Sequence, residues 1–572
     1  MESRDSILVR PGRVPRAGIA YCALCFSAIG LLAGRAHGAS EPQAPEVARW
    51  TRFETQFTSS SSYQNPFQDV EVAVDFTSPG GRVERAAAFW DGGKTWRVRF
   101  SPEETGEWAY RSHASHPDDA GLNGQTGRFA CRPYRGSNTL YSHGSVRIAG
   151  DSRHLEQADG TPFFWLSDTA WSGALKADPK SWETYLADRS AKGFTVVQFV
   201  MTQWLAAAGN GDARLAYQGR ENIAIDPVFF QWMDARIGAL NEHGMVAAPV
   251  LIWDAQWNRA WQSMNPGNTL PDSQIILLAK YIVARYGAYQ VIWILAGDGT
   301  YRENEAERWR KIGRAVFGAH PSRLATIHPG GQLWVGDEFR DEPWFSFVGY
   351  QSGHGDSDDD LRWLWQGPPA KGWKREPPRP VINLEPNYEG HNCYTHRTPF
   401  DAHAVRRAAY WSLLVSPPAG ITYGGHGIWS WELQPAEPLN HPGTGMARPW
   451  SEAIQLPGST DMMHLKTLFT SLDWWTLRPA PELVPNQPGD KDPSRFVAAA
   501  KSAGGNWALL YFPVGEPVTL NLESPGDTKV VRWYNPRSGA WASTAPVPKH
   551  SEPLTPPDEN DWVAWLGPGN LQ

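Results

Sequence analysis

Two apolar runs in this chain each end on a carboxylate set among turn-forming residues. Val381-Ile382-Asn383-Leu384 leads into Glu385, Pro386 and Asn387, and Val291-Ile292-Trp293-Ile294-Leu295-Ala296 leads into Gly297, Asp298 and Gly299. A buried strand that delivers an acid at its C-terminal end and then turns is the pattern of a (β/α)8 barrel rim, where such barrels collect their functional groups. Positions 298 and 385 lie 87 residues apart, roughly three strand–helix units of a barrel that spends about 250 residues on eight. Asp298 is therefore expected at the end of strand 4 and Glu385 at the end of strand 7, facing each other across one pocket.

The text between residues 145 and 478 repeats this alternation. Strands are expected at 163–166, 194–201, 245–253, 291–296, 324–327, 345–350, 381–384 and 420–423. Helices are expected between them at 181–189, 227–244, 274–286 and 305–317, the first two opened by Asp178-Pro179 and Asp226-Pro227. An acid followed by Pro is a cap with a pre-set first turn. Eight strands with intervening helices make a closed barrel the economical fold. Residues 40–135 instead alternate with period 2, as in Val70-Glu71-Val72-Ala73-Val74-Asp75-Phe76, and read as a β-sandwich. A Pro-rich stretch after 478 leads into short alternating runs over 485–572, read as a second small β-sandwich. The fold class is thus a multidomain α/β chain, a central barrel between two β-sandwiches.

Residues 1–38 read as a signal peptide: Arg10, Arg13 and Arg16 precede an apolar run that ends near Ala36-His37-Gly38. A secreted or periplasmic location follows, with no membrane contact after its removal. A formal net charge of −7 argues against a nucleic-acid partner. Of four cysteines, Cys22 and Cys25 would leave with the signal, and Cys131 and Cys393 are too few for a disulfide framework or a zinc site. No cofactor or metal is expected. The 30 Trp are the strongest compositional signal. A Trp face suits the C–H face of a sugar ring, although about half belong to core packing.

Each expected strand end carries groups that hydrogen-bond hydroxyls or stack on rings. In order they are Asp168 and Trp171, Gln203 and Trp204, Trp253, Asp254 and Trp257, Asp298, His328, Gln351 and His354, Glu385, Tyr388 and Glu389, then Tyr423, His426 and Trp429. Any one is equally well an ordinary loop residue; all eight ends together point to an oligo- or polysaccharide site. Asp298 and Glu385 then suit a retaining glycosidase, with Asp298 as acid/base and Glu385 as nucleophile, the two about 5–5.5 Å apart. Glu389 suits a structural acceptor or a sugar-hydroxyl ligand. Zinc-protease, serine-hydrolase and phosphate-loop motifs are missing from the sequence.

The residues also carry a resemblance. Asp159-Gly160-Thr161-Pro162-Phe163-Phe164-Trp165-Leu166-Ser167-Asp168-Thr169-Ala170-Trp171 resembles the opening of the apiosidase-like glycoside hydrolases, family 140 and relatives. The same holds for His328-Pro329-Gly330-Gly331, Gln351-Ser352-Gly353-His354, Glu385-Pro386-Asn387-Tyr388-Glu389-Gly390 and Tyr423-Gly424-Gly425-His426-Gly427-Ile428-Trp429. The resemblance implies the same pair, Asp298 as acid/base and Glu385 as nucleophile, and apiose-containing pectin among the substrates. The N-terminal region, residues 40–135, resembles the immunoglobulin-like module often placed before such barrels, and the C-terminal region is similar to a domain named for collagen binding. Two other readings stay open on the residues alone: an endo-acting, cellulase-like hydrolase and a non-catalytic carbohydrate-binding barrel.

Overall fold

The structure, a computed structural model, describes residues 44–256, 262–318, 323–521, 529–548 and 552–568. The segment 1–38, Trp257 and Leu522 lie outside the described residues. Eight parallel strands form the centre: β1 Trp165–Thr169, β2 Val196–Val200, β3 Val246–Trp253, β4 Trp293–Gly299, β5 Ala325–Pro329, β6 Val348–Gln351, β7 Val381–Glu385 and β8 Gly420–Tyr423. Their order in the sheet is 5-4-3-2-1-8-7-6, a (β/α)8 barrel as the alternation predicts. The strands are buried along almost their whole length, the state of parallel strands covered on both faces. The seam between β5 and β6 is held by a side chain: Thr326 Oγ1 donates to Phe347 O at 2.7 Å and accepts from Gly349 N at 3.2 Å. Trp165 and Phe347, 5.7 Å apart, pack together at the N-terminal ends of β1 and β6.

Helices α1 Pro179–Ala191, α2 Pro227–Glu242, α3 Asp272–Tyr286, α4 Glu303–Phe317, α5 Asp358–Gln366, α6 Ala402–Leu414 and α7 Pro457–Thr470 surround the barrel. Asp178 caps α1 by accepting from Lys180 and Ser181 N, and Asp226 caps α2 by accepting from Val228 N. Such caps are each worth about 1 kcal/mol. Two strand expectations need correcting. Strand 1 starts at Trp165, because Phe163 pairs in a separate three-stranded sheet with Leu155. Strand 4 runs on through Gly299, so Asp298 sits inside the strand rather than after it.

The N-terminal region packs a five-stranded sheet on a three-stranded one around Phe53, Val74, Phe76, Val98 and Trp108. Charged groups dock it to the barrel flank. Arg99 Nη2 lies 2.7 Å from Asp234 on α2, while Arg285 on α3 lies 2.7 Å from Asp234 and 2.8 Å from Asp91. The C-terminal region differs from expectation. Among the described residues it is one six-stranded antiparallel sheet rather than two packed sheets. One face meets α6, where Tyr410 stacks on Tyr511 at 4.6 Å, so the barrel takes the place of a second sheet. The other face carries its own cluster around Phe512, Trp533 and Trp562. Val518 makes only a bridge to Leu554 there. Cys131 and Cys393 are free and buried. No helix of the described residues is long and apolar enough to cross a membrane.

Candidate active site

Glu385 ends β7 with 7% of its surface exposed. Its Oε1 lies 3.0 Å from His354 Nε2 and its Oε2 lies 3.3 Å from His328 Nε2. Burial alone would push this carboxyl up, but the two imidazoles outweigh it and hold the group down at about 2. An ionised carboxylate only accepts hydrogen bonds, so His354 Nε2 carries the proton of its bond to Oε1. The result is a carboxylate kept charged in a nearly dry place.

Asp298 lies on β4, three strands around the barrel, and is partly exposed. Gly297 pairs with His328 and Gly299 with Pro329, so β4 spends one extra residue against β5 and Asp298 is the bulge. Its φ is 62°, a left-handed conformation that Asp tolerates better than most residues but that still costs about 1–3 kcal/mol. Gly297 is needed beside it, since a Cβ there would lie 2.6 Å from the Trp253 ring. The bulge turns the Asp298 carboxylate beside the loop after β5, where a Cβ on Gly330 would stand 3.7 Å from Oδ1.

Aromatic rings wall the space between. Trp171 meets Trp253 at 5.4 Å and His328 at 5.3 Å, and Trp253 meets Trp204 at 4.7 Å. On the other side His354 contacts Tyr388 at 4.5 Å and His391 at 4.3 Å, and His391 contacts His426 at 5.2 Å. Trp429 Nε1 donates to His426 Nδ1 at 3.1 Å, which leaves His426 Nε2–H to donate to Gly445 O at 3.0 Å. Burial pushes His426 down to about 4 and His391 and His441 below the usual imidazole range. Those three rings are therefore neutral donors and acceptors at ordinary pH. Among the described residues no group of three or more His, Cys, Asp or Glu is arranged to hold a metal ion.

Several residues expected at the site point elsewhere. Asp168 is fully buried on the helix side of β1, where its carboxylate accepts from Tyr185 OH at 2.8 Å and Arg189 Nε at 2.5 Å on α1. Asp254 also faces outward, accepting from Trp309 Nε1 on α4 at 2.9 Å. Burial, with no full partner, pushes its carboxyl up to about 7. Glu389 accepts from Tyr423 OH at 2.7 Å and Gly458 N at 2.9 Å, so both Glu389 and Tyr423 brace the barrel against α7. Gln203 braces its own loop through Ala216 N and Tyr217 O. These five carboxyl, phenol and amide groups find protein partners before any substrate could. Gln351 is buried at the end of β6, in register with Glu385.

Other residues come in unannounced. Gln198 Nε2 donates to Leu384 O at 2.6 Å and Thr169 Oγ1 at 3.0 Å, directly beneath Glu385. Counting by twos from inward-facing Trp165 selects Ser167 and Thr169 and turns Asp168 out, so the signal for Thr169 was in the sequence. His391, Tyr394 and His441 come from loops after β7 and β8, where no period exists to find them.

With this geometry in view, comparison with known proteins is informative. The family model described as "Apiosidase-like, catalytic domain" matches residues 149–476. The chain belongs to the apiosidase-like family. Outside this apiosidase-like barrel, a domain of unknown function (DUF5060) matches 46–115, and a model named for the collagen-binding domain of a collagenase matches 479–566. The fold of the apiosidase-like chain is similar to a solved glycoside hydrolase at TM-score 0.64 and 22% identity, over 76% of this chain and 100% of that one. It is similar to a family 5 glycoside hydrolase from Bacteroides vulgatus ATCC 8482 at TM-score 0.63 and 22% identity, over 75% and 94%. A further glycoside hydrolase structure from that organism aligns at TM-score 0.66 and 20% identity, over 91% and 99%. No curated protein matches the chain. The family makes it a glycosidase, and the solved structures share its (β/α)8 fold.

Proposed function

We propose that this glycosidase works with retention, with Glu385 as nucleophile and Asp298 as acid/base, on a plant or microbial polysaccharide outside the cytoplasm. The observation that carries the reading is Glu385 itself: two imidazoles hold it ionised at the end of a barrel strand. A nucleophile must be charged before substrate arrives, and an acid/base must not be clamped in one state. Asp298, partly exposed on the bulge of β4, suits the second task.

In the first step a Glu385 oxygen attacks the anomeric carbon as the bond to the leaving oxygen breaks, and the Asp298 proton moves to that oxygen. In the second, Asp298 takes a proton from water, the water oxygen bonds to the anomeric carbon, and Glu385 leaves as a carboxylate. Buried rings on both sides of Glu385 favour a closed pocket over an open groove, and so cleavage of a terminal or branch sugar rather than mid-chain. Apiose-containing pectin is the first polymer to try, on the family's name.

The test uses 4-nitrophenyl glycosides of apiose, arabinose, xylose, galactose and glucose in both anomers, with pectic and hemicellulosic polymers beside them. Proton NMR should show the product first formed in the substrate's own anomeric configuration. Asp298→Asn should lose most activity on polymers yet still form a glycosyl-enzyme from an activated aryl glycoside, whereas Glu385→Gln should be inactive on both. Substantial aryl-glycosidase activity in Glu385→Gln, or an inverted product, refutes the assignment.

A further inference from the structure

We propose that Tyr394 forms the subsite for the leaving group, taking an uncharged ring against its exposed face and so selecting which glycosides the enzyme cleaves. The inference rests on the roles given to Glu385 and Asp298 above.

Exposure rises outward through the site, from 0% at His328 and 3% at Trp171 and Trp253 to 51% at Tyr394. Tyr394 is thus an aromatic of the mouth, where the inner Trp rings are wall. Two imidazoles fix its edges, His354 at 5.7 Å and His391 at 5.9 Å, both near perpendicular to it. The ring therefore stands one side chain out from Glu385, whose Oε1 lies 3.0 Å from His354 Nε2, and burial, then the charges of Glu385 and Asp298, push the Tyr394 hydroxyl up. A ring packed on the imidazole that holds the nucleophile, and half in solvent, lies where the departing group must pass.

The loop bearing it is exposed yet held on both sides. Tyr394 N donates to His354 O at 3.0 Å and Thr395 N to Asp356 Oδ1 at 2.9 Å, both on the loop after β6. Asn392 N donates to Thr444 O at 2.9 Å, on the loop after β8. Such a platform is ordered before binding, so little entropy is lost when a ring settles on it. The chemistry of the neighbourhood fits an apolar face. Among the described residues, exposed large apolar side chains gather at this end of the barrel: Leu215, Met264, Leu433, Leu439 and Met446 join Tyr394. They come from the loops after β2, β3, β7 and β8, a continuous arc of the barrel once β1 is counted. Asn440 Nδ2 ties two of these loops together through Leu205 O at 2.6 Å. Apolar rings and the C–H faces of sugars gain by stacking on such a surface.

The experiment holds the sugar constant and changes only what leaves. The sugar is whichever the panel above selects, presented as its 4-nitrophenyl glycoside, with a ring to stack, and as its glycosyl fluoride, with none. Tyr394→Ala should lose about tenfold in kcat/KM on the aryl glycoside, the size of one aromatic contact, and stay within about twofold of wild type on the fluoride. Tyr394→Phe, which keeps the ring face, should match wild type on both. Equal losses on the two substrates, no loss on either, or Tyr394→Phe behaving as Tyr394→Ala each overturn the subsite. A wild-type enzyme that cleaves neither substrate overturns the reading of Glu385 and Asp298 instead, and the subsite with it.

Discussion

Replacing His354 by Phe keeps a ring of similar size and removes one of the two groups that hold Glu385 ionised. The lost hydrogen bond runs from Nε2 to Oε1 at 3.0 Å, to a charged and buried acceptor. Bonds of that kind are worth about 1.5–3 kcal/mol, which is about 1–2 pKa units at 1.36 kcal/mol each. Glu385, held at about 2 in the native enzyme, should therefore rise to roughly 3–4. The acid limb of kcat/KM against pH, measured on a 4-nitrophenyl glycoside, should move up by the same amount. Stability must follow in a fixed direction. The folded pKa lies below the unfolded value of about 4.3, so the stabilisation is complete above that pH and is lost as pH falls through the folded value. His354→Phe should be less stable than wild type by about 1.5–3 kcal/mol near neutrality, and urea titrations of the two should converge toward pH ~2. An acid limb that stays in place, or a stability gap independent of pH, refutes the role given to His354.

Three further outcomes separate structural from chemical residues. Glu389→Ala strips the acceptor from Tyr423 OH and Gly458 N; it should lower the unfolding free energy by about 1.5–3 kcal/mol while kcat on a small aryl glycoside holds. Gly297→Ala puts a methyl 2.6 Å from the Trp253 ring; about 1–3 kcal/mol of overpacking should appear in calorimetry, with a larger fall in kcat because Asp298 is next in line. Arg285→Met leaves Asp91 and Asp234 short of a partner. At about 3–5 kcal/mol for a broken buried pair, it should split the thermal transition, with the N-terminal sheets melting first, and leave kcat unchanged.

The barrel was legible because most of its parallel strands carry apolar runs and its first two helices open on Asp-Pro caps, both local signals. The places of Asp298 on strand 4 and Glu385 on strand 7 were legible for the same reason: each is the first acid after such a run. Asp168 and Asp254 misled because both follow an apolar strand as Glu385 does, yet the strand's two-residue period turns them toward α1 and α4. Sequence spacing says which residue ends a strand, but not which side of the sheet it takes once a bulge shifts the count, as it does at Asp298. Glu389 shows the same limit in a loop, where a neighbouring acid four residues from Glu385 serves α7 instead. His391, Tyr394 and His441 depend on loops tied together by backbone hydrogen bonds, such as Asn392 to Thr444. No local pattern announces a bond between residues that distant. The C-terminal sheet was expected to need a partner sheet because its text matched a sandwich; the partner proved to be α6, which only the tertiary structure supplies.

The neutrality of the imidazoles around the pocket has a consequence for which polymers can approach. His426, held at about 4, and His391 and His441, also depressed by burial, carry no positive charge to set against Glu385. These three rings therefore offset none of the carboxylate charge that an approaching polymer meets at the mouth. An acidic polymer, pectin included, approaches against that charge and should react more slowly at low salt, whereas a neutral one does not. At low ionic strength the enzyme should sort chains by charge, and added salt, which shortens the Debye length to about 8 Å near 0.15 M, should raise the rate on acidic polymers and leave the rate on neutral ones where it was.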